Sequence, residues 1–332
     1  MTTTAPIGVL VMAYGTASGP GDVERYYTDI RGGHPPTPEH LKELRDRYAA
    51  IGNVFPLGDT TRAQADGLVE RLNDSGAEAS PFRAYLGMKH SPPFIADGVE
   101  RMRADGVERA VGIVMAPHWS GMSVESYIGR VQVAVADAGG TPAFTFVRSY
   151  SSHPAFVGFL AERVSEALST LDVAEREGST VIFSAHSLPV RTLEDGSHLC
   201  KSCDCVDSCR YRDGLQETAD LVAQRLGLND YGIAWQSAGR TADPWWGPPV
   251  EDVIAELGVG GRAAVVVCSA GFVADHLEIL YDLDIEAKRI AEAAGMTFVR
   301  TRMPNADPAF LDILATVVRE HLADSAAEVQ AS

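Results

Sequence analysis

The chain of 332 residues is predicted to be an α/β protein with two doubly wound lobes, each built on a parallel four-stranded sheet. Eight short apolar runs, four in each half, have the length and β-branched composition of buried strands. Helical patterns separate these runs, and such alternation favours right-handed crossovers and parallel sheets. The predicted strands cover residues 7–14, 80–88, 109–118, 143–150, 179–189, 231–238, 263–272 and 296–303.

The length suits two lobes of about 150 residues each. We therefore place a boundary near residue 150, with an N-terminal lobe over 1–150 and a C-terminal lobe over 151–332. In sheets of this type, ligands bind beyond the carboxyl ends of the strands. Two facing lobes would direct these strand ends towards one shared cleft.

Composition excludes several classes of partner. There are 45 acidic and 28 basic residues, and a net charge of −17 is unsuited to gripping phosphate backbones, so nucleic acid is not expected to bind. No apolar run reaches the length of a membrane helix, and the start of the chain lacks a basic region before its short apolar stretch. We expect a cytoplasmic, monomeric protein.

Polar side chains follow most of the predicted strands. Histidines, a tyrosine and a carboxylate beside a tryptophan pair would suit a flat, conjugated ligand with ionisable nitrogens. The candidates are Tyr14, His90, His118, Ser149, His186, Gln236, Ser237, Trp245, Trp246 and Glu278.

Each candidate also has a plain structural interpretation. A histidine at a strand end is more often a hydrogen-bonded structural residue than a catalyst. Trp245 and Trp246 would commonly be packing residues in a core or between lobes. These alternatives stay open for every candidate taken singly.

Three carboxylates, Glu278, Asp282 and Glu286, recur every four residues and so share one helical face. Like charges at this spacing destabilise a helix slightly, and a solvated acidic face is one interpretation. The other is a ladder of oxygen donors that passes a weakly held divalent cation inward to Glu278.

Several segments of the chain resemble motifs of the ferrochelatase family. They are LVMAYGT, DRYAAIG, YLGMKHSPPFI, APHWS, SAHSLP, WQSAGRTADPWWGP and GFVADHLEILYDLDIE. The resemblance implies two Rossmann-like lobes with a porphyrin cleft between them, and a last helix that packs on the first lobe. It also implies insertion of Fe²⁺, the metal substrate, into a porphyrin for haem biosynthesis.

The resemblance assigns roles residue by residue. His186 and Glu278 would supply the catalytic metal site, with Asp282 and Glu286 on the outer metal path. Tyr14 would face the metal. The expected porphyrin contacts are Tyr14, Arg31, Arg47, Tyr48, Tyr127, His90 and Trp245.

The chain departs from the simplest family pattern in two places. Phe55 stands where some relatives carry a serine, so a hydroxyl contact to a carboxylate would be missing. A polar insertion, which we place in a loop over 198–212, holds four cysteines within ten residues: Cys200, Cys203, Cys205 and Cys209. Such clustering argues against a dispersed disulfide framework.

The spacing of the four cysteines suits one soft metal centre, either zinc or an iron–sulfur cluster. Spacing alone does not separate the two. Several ferrochelatases carry a [2Fe-2S] cluster, and the resemblance therefore favours that cofactor, in a structural or regulatory role. The fifth cysteine, Cys268, lies in an apolar run and is interpreted as a core thiol.

Iron insertion removes two pyrrole protons, which calls for a base with a pKa near neutrality, and His186 suits that role. Tyr14 resembles the coproporphyrin III branch of the family, whereas users of protoporphyrin IX tend to have methionine there. The product would be Fe-coproporphyrin III. We also expect the protein to make transient contact with neighbouring haem-pathway enzymes. The alternatives are a protoporphyrin IX ferrochelatase, a cobalt or nickel chelatase, and a non-catalytic tetrapyrrole carrier.

Overall fold

The computed structural model describes residues 5–74, 81–206 and 208–331. All eight predicted strands are present, most of them shorter than predicted at the carboxyl end. Two short strands, β6 and β7, were not predicted. The described residues form ten strands: β1 Ile7–Ala13, β2 Phe82–Met88, β3 Arg109–Val114, β4 Ala143–Val147, β5 Ser179–His186, β6 Val190–Thr192, β7 His198–Cys200, β8 Tyr231–Gln236, β9 Ala264–Cys268 and β10 Thr297–Arg300.

Helices connect the strands as the alternating pattern predicts. A 3₁₀ turn at Pro20–Asp22 precedes the first α-helix, and a π-helix spans Glu278–Ala287. The α-helices are α1 Val23–Ile30, α2 Pro38–Ala50, α3 Leu57–Asp74, α4 Ile95–Ala104, α5 Val124–Asp137, α6 Pro154–Ser169, α7 Val173–Glu177, α8 Arg210–Leu226, α9 Val250–Val259, α10 Lys288–Ala293 and α11 Pro308–Ala331.

The strands form two four-stranded parallel sheets and one hairpin. The sheet orders are β2-β1-β3-β4 and β10-β9-β5-β8, and β6 pairs antiparallel with β7. Every residue of the central strand β1 is buried, as expected for a sheet covered by helices on both faces. The predicted α/β fold class with two parallel four-stranded sheets is confirmed.

The chain divides into two compact units. The first comprises Met1–Met115, Val124–Arg148 and Pro304–Ser332, and the second comprises Ala116–Ser123 and Ser149–Met303. A boundary near 150 lies close to the change of unit after Arg148, and the last helix is in the first unit as the family resemblance implies, but residues 116–123 were not expected in the second unit. Residues 116–123 contact other second-unit residues, since His118 Nε2 lies 2.9 Å from Thr218 Oγ1 and the Arg210 guanidinium lies 3.5 Å from the Trp119 ring centroid.

The C-terminal helix α11 belongs to the first unit because it packs against α3. Gln64 donates from its side-chain nitrogen to the carbonyl of Asn305 at 2.9 Å, and Arg71 pairs with Asp312 at 2.6 Å. Gly67 on α3 lies against the Leu311 side chain, which leaves no room there for a methyl group.

The polar insertion is more ordered than the predicted loop over 198–212. Its first three residues form β7, which pairs with β6 just before the insertion, and Cys209 is the N-cap of α8, so residues 210–212 are helical. Residue 207 of this predicted loop lies outside the described residues. The described helices include none that is long and apolar enough to span a membrane.

Candidate active site

His186 lies at the carboxyl end of β5, where it pairs in parallel register with Gln236 of β8. This is the edge of the second sheet at which ligands bind in α/β proteins. A hydrogen bond joins His186 Nδ1 to the carbonyl oxygen of Ser187. A carbonyl only accepts, so Nδ1 carries the proton and Nε2 is the nitrogen with the lone pair in neutral His186.

Glu278 faces that nitrogen. Its Oε1 lies 3.6 Å from His186 Nε2, which is longer than a good hydrogen bond but close for an ion pair. The two side chains are 32% and 31% exposed, so solvent and small ions reach the pair. The arrangement holds a proton acceptor beside a fixed negative charge.

A second histidine joins the pair, and sequence reasoning missed it. His276 Nε2 lies 3.4 Å from Glu278 Oε2, and His276 Nδ1 donates to the carbonyl of Ala274 at 2.9 Å. His276 therefore directs the same ring nitrogen at the carboxylate as His186 does. The signal was present in GFVADHLE, two residues before Glu278.

The backbone of Glu278 is tied to the end of β8. Gln236 Nε2 donates to the Glu278 carbonyl at 3.4 Å. The Gln236 Oε1 accepts hydrogen bonds from Ser184 at 2.8 Å and from Ser269 at 3.2 Å, which fixes the orientation of the amide. Gln236, a predicted strand-end candidate, thus supports the helix start that carries Glu278.

Electrostatics and burial oppose each other in this pair. Burial is the largest single influence on the pKa of His186 and lowers it, but the charge of Glu278 and the hydrogen bonds to Glu278 and to the Ser187 carbonyl together raise the pKa above its ordinary value. Burial raises the pKa of Glu278, but the positive charge of His186 and the hydrogen bonds from the two histidines hold it far below the usual range. Glu278 is therefore held as the carboxylate, and its charge stabilises the imidazolium when His186 takes up a proton.

The carboxylate ladder lies on the π-helix that begins at Glu278. Asp282 is buried and accepts a hydrogen bond from Ser237 Oγ at 2.5 Å. Glu286 is half-buried, and together with Asp282 it adds to burial in raising the pKa of Glu251. π-Helices are rare and occur mostly at functional sites, which favours the cation interpretation of this ladder.

The two tryptophans of the predicted pair have different surroundings. The Trp245 ring lies 6.4 Å from the His186 ring, and Phe272 lies 6.3 Å from it on another side. Trp246 is buried and stacks on Trp235 at 5.9 Å. Trp245 is thus placed as a wall of the site, and Trp246 is a packing residue.

Tyr14 and His90 form the corresponding group in the first unit. Tyr14 follows β1 and is 43% exposed, and its ring centroid lies 4.6 Å from that of His90. His90 is buried, and its Nδ1 lies 2.7 Å from Asp29 Oδ1. Burial is the largest influence on the pKa of His90 and, despite Asp29, lowers it.

Tyr127 and Tyr48, two further expected porphyrin contacts, also belong to the first unit. Tyr127 is buried, with Lys89 Nζ 5.2 Å from its ring centroid, and burial lowers the pKa of Lys89 to about 8. Tyr48 is buried, and Phe55 stacks on it at 4.4 Å, so the aromatic ring at 55 extends an apolar surface.

The two arginines lie on α1 and α2. Arg31 follows α1, is exposed, and donates from Nε to the carbonyl of His34 at 3.2 Å. Arg47 lies in the last turn of α2 and is half-buried.

His118 has a structural role. It is buried, and its Nε2 contacts Thr218 Oγ1. Burial lowers its pKa to about 3, so it stays neutral at ordinary pH. Ser149 likewise donates to the carbonyl of Pro117 at 2.9 Å.

The four cysteines of the insertion are close together. Cys200, Cys205 and Cys209 are buried, and Cys203 is half-buried. Cys200 Sγ lies 3.1 Å from Cys209 Sγ, and the Trp246 indole donates to Cys200 Sγ at 3.3 Å. The hydrogen bond from Cys200, with backbone N–H groups at the start of α8, lowers the pKa of Cys209 against the effect of burial.

None of these groups is already arranged around an ion position. In the described part of the chain, no set of three or more His, Cys, Asp or Glu side chains has the geometry to hold a metal. The donor atoms of this group, His186, His276 and Glu278, lie near one another. They do not surround a common position that an ion could occupy.

In the metal-free protein, we expect the pKa of His186 to lie above the ordinary histidine value. Glu278→Gln should lower it, because the amide removes the attractive charge and leaves the burial that disfavours imidazolium. A ¹H–¹⁵N NMR titration of the histidine rings measures this pKa. Glu292→Gln, a charge removal on α10, is the control and should leave it in place. An unchanged pKa in Glu278→Gln would contradict the pairing.

Sequence comparison identifies the family. Residues 6–322 match the sequence profile of the family described as Ferrochelatase. The protein named Coproporphyrin III ferrochelatase from Anoxybacillus flavithermus (strain DSM 21510 / WK1) is 47% identical over 317 residues, which cover 95% of this chain and 96% of that protein. A protein of the same name from Bacillus subtilis (strain 168) is 44% identical, with coverage of 95% and 98%.

Solved structures give the same result at the level of the fold. The structure described as SirB from Bacillus subtilis with Fe3+ has a TM-score of 0.58 at 10% identity, covering 97% of this chain and 98% of that one. A sirohydrochlorin chelatase SirB from Bacillus subtilis subspecies spizizenii, in complex with cobalt, has a TM-score of 0.54 at 9% identity, with 95% of each chain covered. At such low identity these structures share the fold alone. The profile match over nearly the whole chain, together with relatives above 40% identity, shows that the chain belongs to the ferrochelatase family.

Proposed function

We propose that this protein inserts Fe²⁺ into coproporphyrin III, giving Fe-coproporphyrin III and two protons. The observation that carries the proposal is the His186–Glu278 pair, in which a fixed ring nitrogen faces a carboxylate at the end of β5. The substrate is inferred from the similar proteins, which are named coproporphyrin III ferrochelatases. A cytoplasmic location, a monomeric state and transient contacts with neighbouring haem-pathway enzymes belong to the proposal as sequence-based expectations.

His186 acts as the base in this proposal. Its Nδ1 is engaged by the Ser187 carbonyl, so Nε2 is the position at which a pyrrole proton is accepted. The charge of Glu278 stabilises the imidazolium that forms, and part-exposure of both side chains lets the proton leave to solvent. Both protons of the macrocycle can leave through this pair in turn.

Glu278, Asp282 and Glu286 form the path for the metal substrate. Carboxylate oxygens bind Fe²⁺ weakly and exchange it readily, as a path requires. Glu278 lies at the inner end of the π-helix, within 3.4 Å of His276 Nε2. An arriving cation would take the place of a proton that His186 shares with this carboxylate, and that proton would leave to solvent.

First-unit residues hold the organic substrate in this proposal. Coproporphyrin III carries four propionates, and Arg31 and Arg47 supply positive charge to meet carboxylates. Contacts of Tyr48 and Tyr127 with the macrocycle stay predictions, since both side chains are buried. Tyr14, at 43% exposure, would face the metal substrate in this proposal.

A cobalt or nickel chelatase is the second candidate, and one observation favours it. Such enzymes usually pair two histidines at the metal, and His276 supplies a second histidine beside Glu278. The named relatives weigh against it. Including Co²⁺ in the insertion assay separates the two candidates.

We also propose that Cys200, Cys203, Cys205 and Cys209 hold a [2Fe-2S] cluster. The donor set fits in kind, because the four thiols lie within one segment and Cys200 and Cys209 are already in contact. The lowered pKa of Cys209 favours the thiolate form that ligates metals. The Trp246 N–H donates to Cys200 Sγ, as protein donors do to cluster ligands. The group would act structurally, because no proton or metal step above uses it.

The substrate proposal predicts a preference that one assay measures. Fe²⁺ insertion into coproporphyrin III and protoporphyrin IX, compared anaerobically, should favour coproporphyrin III by at least about tenfold in kcat/KM, or about 1.4 kcal/mol. Arg47→Leu should narrow this preference because a cation that meets an extra propionate is lost. The control Arg302→Leu removes a surface arginine that pairs with Glu166, and it should leave the preference for coproporphyrin III unchanged. Equal or better use of protoporphyrin IX by the wild type would contradict the proposal.

The cluster proposal predicts that Cys203→Ser lacks the brown visible absorption of an iron–sulfur centre, because three thiolates hold a cluster poorly. Iron, acid-labile sulfide and zinc are measured in anaerobically purified protein. Cys268→Ser is the matched control: Cys268 is a buried thiol in β9, and the absorption should remain. Stoichiometric zinc without iron or sulfide in the wild type would replace the cluster by a zinc site.

A further inference from the structure

The stretch of chain that holds the four cysteines begins directly after His186, and the helix that follows it returns to His186 through one hydrogen bond. We call residues 187–210 the cysteine segment. It leaves the sheet directly after His186, the last residue of β5, and leads into α8, which begins at Arg210. One residue later, the Tyr211 hydroxyl donates a hydrogen bond to the backbone carbonyl of His186 at 2.9 Å.

We propose that Tyr211 is a positioning residue for His186, and that its hydroxyl couples the cysteine segment to the metal-insertion site. The inference rests on the proposed function, because it concerns the placement of the base. Tyr211 belongs to the helix that Cys209 caps, so a change at the cysteines moves the start of α8. The hydroxyl transmits that movement to the backbone of the histidine.

Packing holds the tyrosine in one place. Tyr211 is buried, and its ring lies 5.4 Å from the Trp235 ring. Burial raises the pKa of the phenol, so the hydroxyl stays protonated and can donate. A neutral, fixed donor suits a structural bond to a carbonyl, since it holds the chain without adding charge beside Glu278.

A second connection runs from the cysteines to the same backbone. Trp246, which donates to Cys200 Sγ, also donates through its backbone N–H to the carbonyl of Leu188 at 3.0 Å. The Trp246 carbonyl accepts a hydrogen bond from Ser187 Oγ at 2.8 Å. Ser187 is in turn the residue whose carbonyl binds His186 Nδ1. The His186 carbonyl is thus bonded by Tyr211, two residues after Cys209, and the Ser187 hydroxyl is bonded by Trp246, which contacts Cys200.

The consequence concerns where His186 Nε2 lies. Rotation of the peptide group of the His186 carbonyl, or of that of the Ser187 carbonyl, changes the direction of the imidazole ring. This follows because Nδ1 is hydrogen-bonded to the Ser187 carbonyl. A displacement of a reacting group by about 1 Å lowers the reaction rate far more than it weakens substrate binding. Loss of the Tyr211 hydroxyl should therefore reduce kcat and leave the KM for porphyrin in place.

Tyr211→Phe in the full-length protein tests the inference, because it keeps the ring and removes the hydroxyl alone. We expect kcat for Fe²⁺ insertion to fall by about tenfold, with the porphyrin KM within about twofold of wild type. The matched control is Tyr231→Phe, which removes a hydroxyl that donates to Asp220 at the surface, and its kcat should equal that of wild type. Circular dichroism and thermal melting establish that both variants are folded.

The NMR signals of the His186 ring, assigned with His186→Ala, give a readout independent of activity. They should shift in Tyr211→Phe and stay in place in Tyr231→Phe. A wild-type kcat together with unmoved His186 signals in Tyr211→Phe would overturn the inference. If the wild-type protein inserts no iron, the proposed function fails, and the ring signals alone decide whether Tyr211 positions His186.

Discussion

The hydrogen bond from His186 Nδ1 to the Ser187 carbonyl is the constraint on which the site depends. Because a carbonyl accepts and never donates, this bond decides which ring nitrogen carries the proton. It leaves Nε2 directed at Glu278, and the same choice is repeated at His276 through the carbonyl of Ala274. The Glu278 carboxylate therefore faces two ring nitrogen atoms, Nε2 of His186 and Nε2 of His276. These two atoms compete with each other for a proton or a cation.

The sheet supplies the rigidity that this arrangement needs. His186 and Gln236 are register partners at the ends of β5 and β8, and Gln236 binds the backbone of Glu278. The base and the carboxylate come from segments about ninety residues apart in the chain, yet one buried glutamine relates them. Positions set by a parallel sheet vary little, which suits a reaction that depends on placement.

In the proposal above, the cysteine segment also controls the placement of His186. It contributes no group to the metal or proton steps proposed here. Its first residue, Ser187, donates to the Trp246 carbonyl next to His186, and Tyr211, which follows its last residue, donates to the His186 carbonyl. A metal centre on the four thiols would stiffen the segment and, through Tyr211 and Trp246, the histidine. This gives a cofactor that lies outside the reaction a physical route to influence it.

Much of this could be predicted from the sequence, because buried parallel strands are continuous apolar runs and strand ends locate ligand sites. The pattern correctly identified the eight sheet strands and the polar residues that follow them. It overran strand ends such as residues 109–118, since apolar residues continue into the loop after Val114.

Other features depend on contacts that no local pattern encodes. The assignment of residues 116–123 to the second unit follows from packing on distant segments such as α8. The π-helix at Glu278–Ala287 has the same four-residue carboxylate spacing as an α-helix, so the sequence did not distinguish them. The role of Tyr211 rests on a single hydrogen bond to a residue 25 positions earlier in the chain.

The central claim is that His186 is the base for metal insertion and not a determinant of porphyrin binding. The most direct measurement is anaerobic Fe²⁺ insertion by His186→Ala, together with the Kd for coproporphyrin III from fluorescence titration. The control His321→Ala removes a histidine of α11, outside the site. The account predicts that His186→Ala loses insertion by at least about a hundredfold while its Kd stays within about threefold of wild type. Turnover by His186→Ala at the wild-type rate would contradict it.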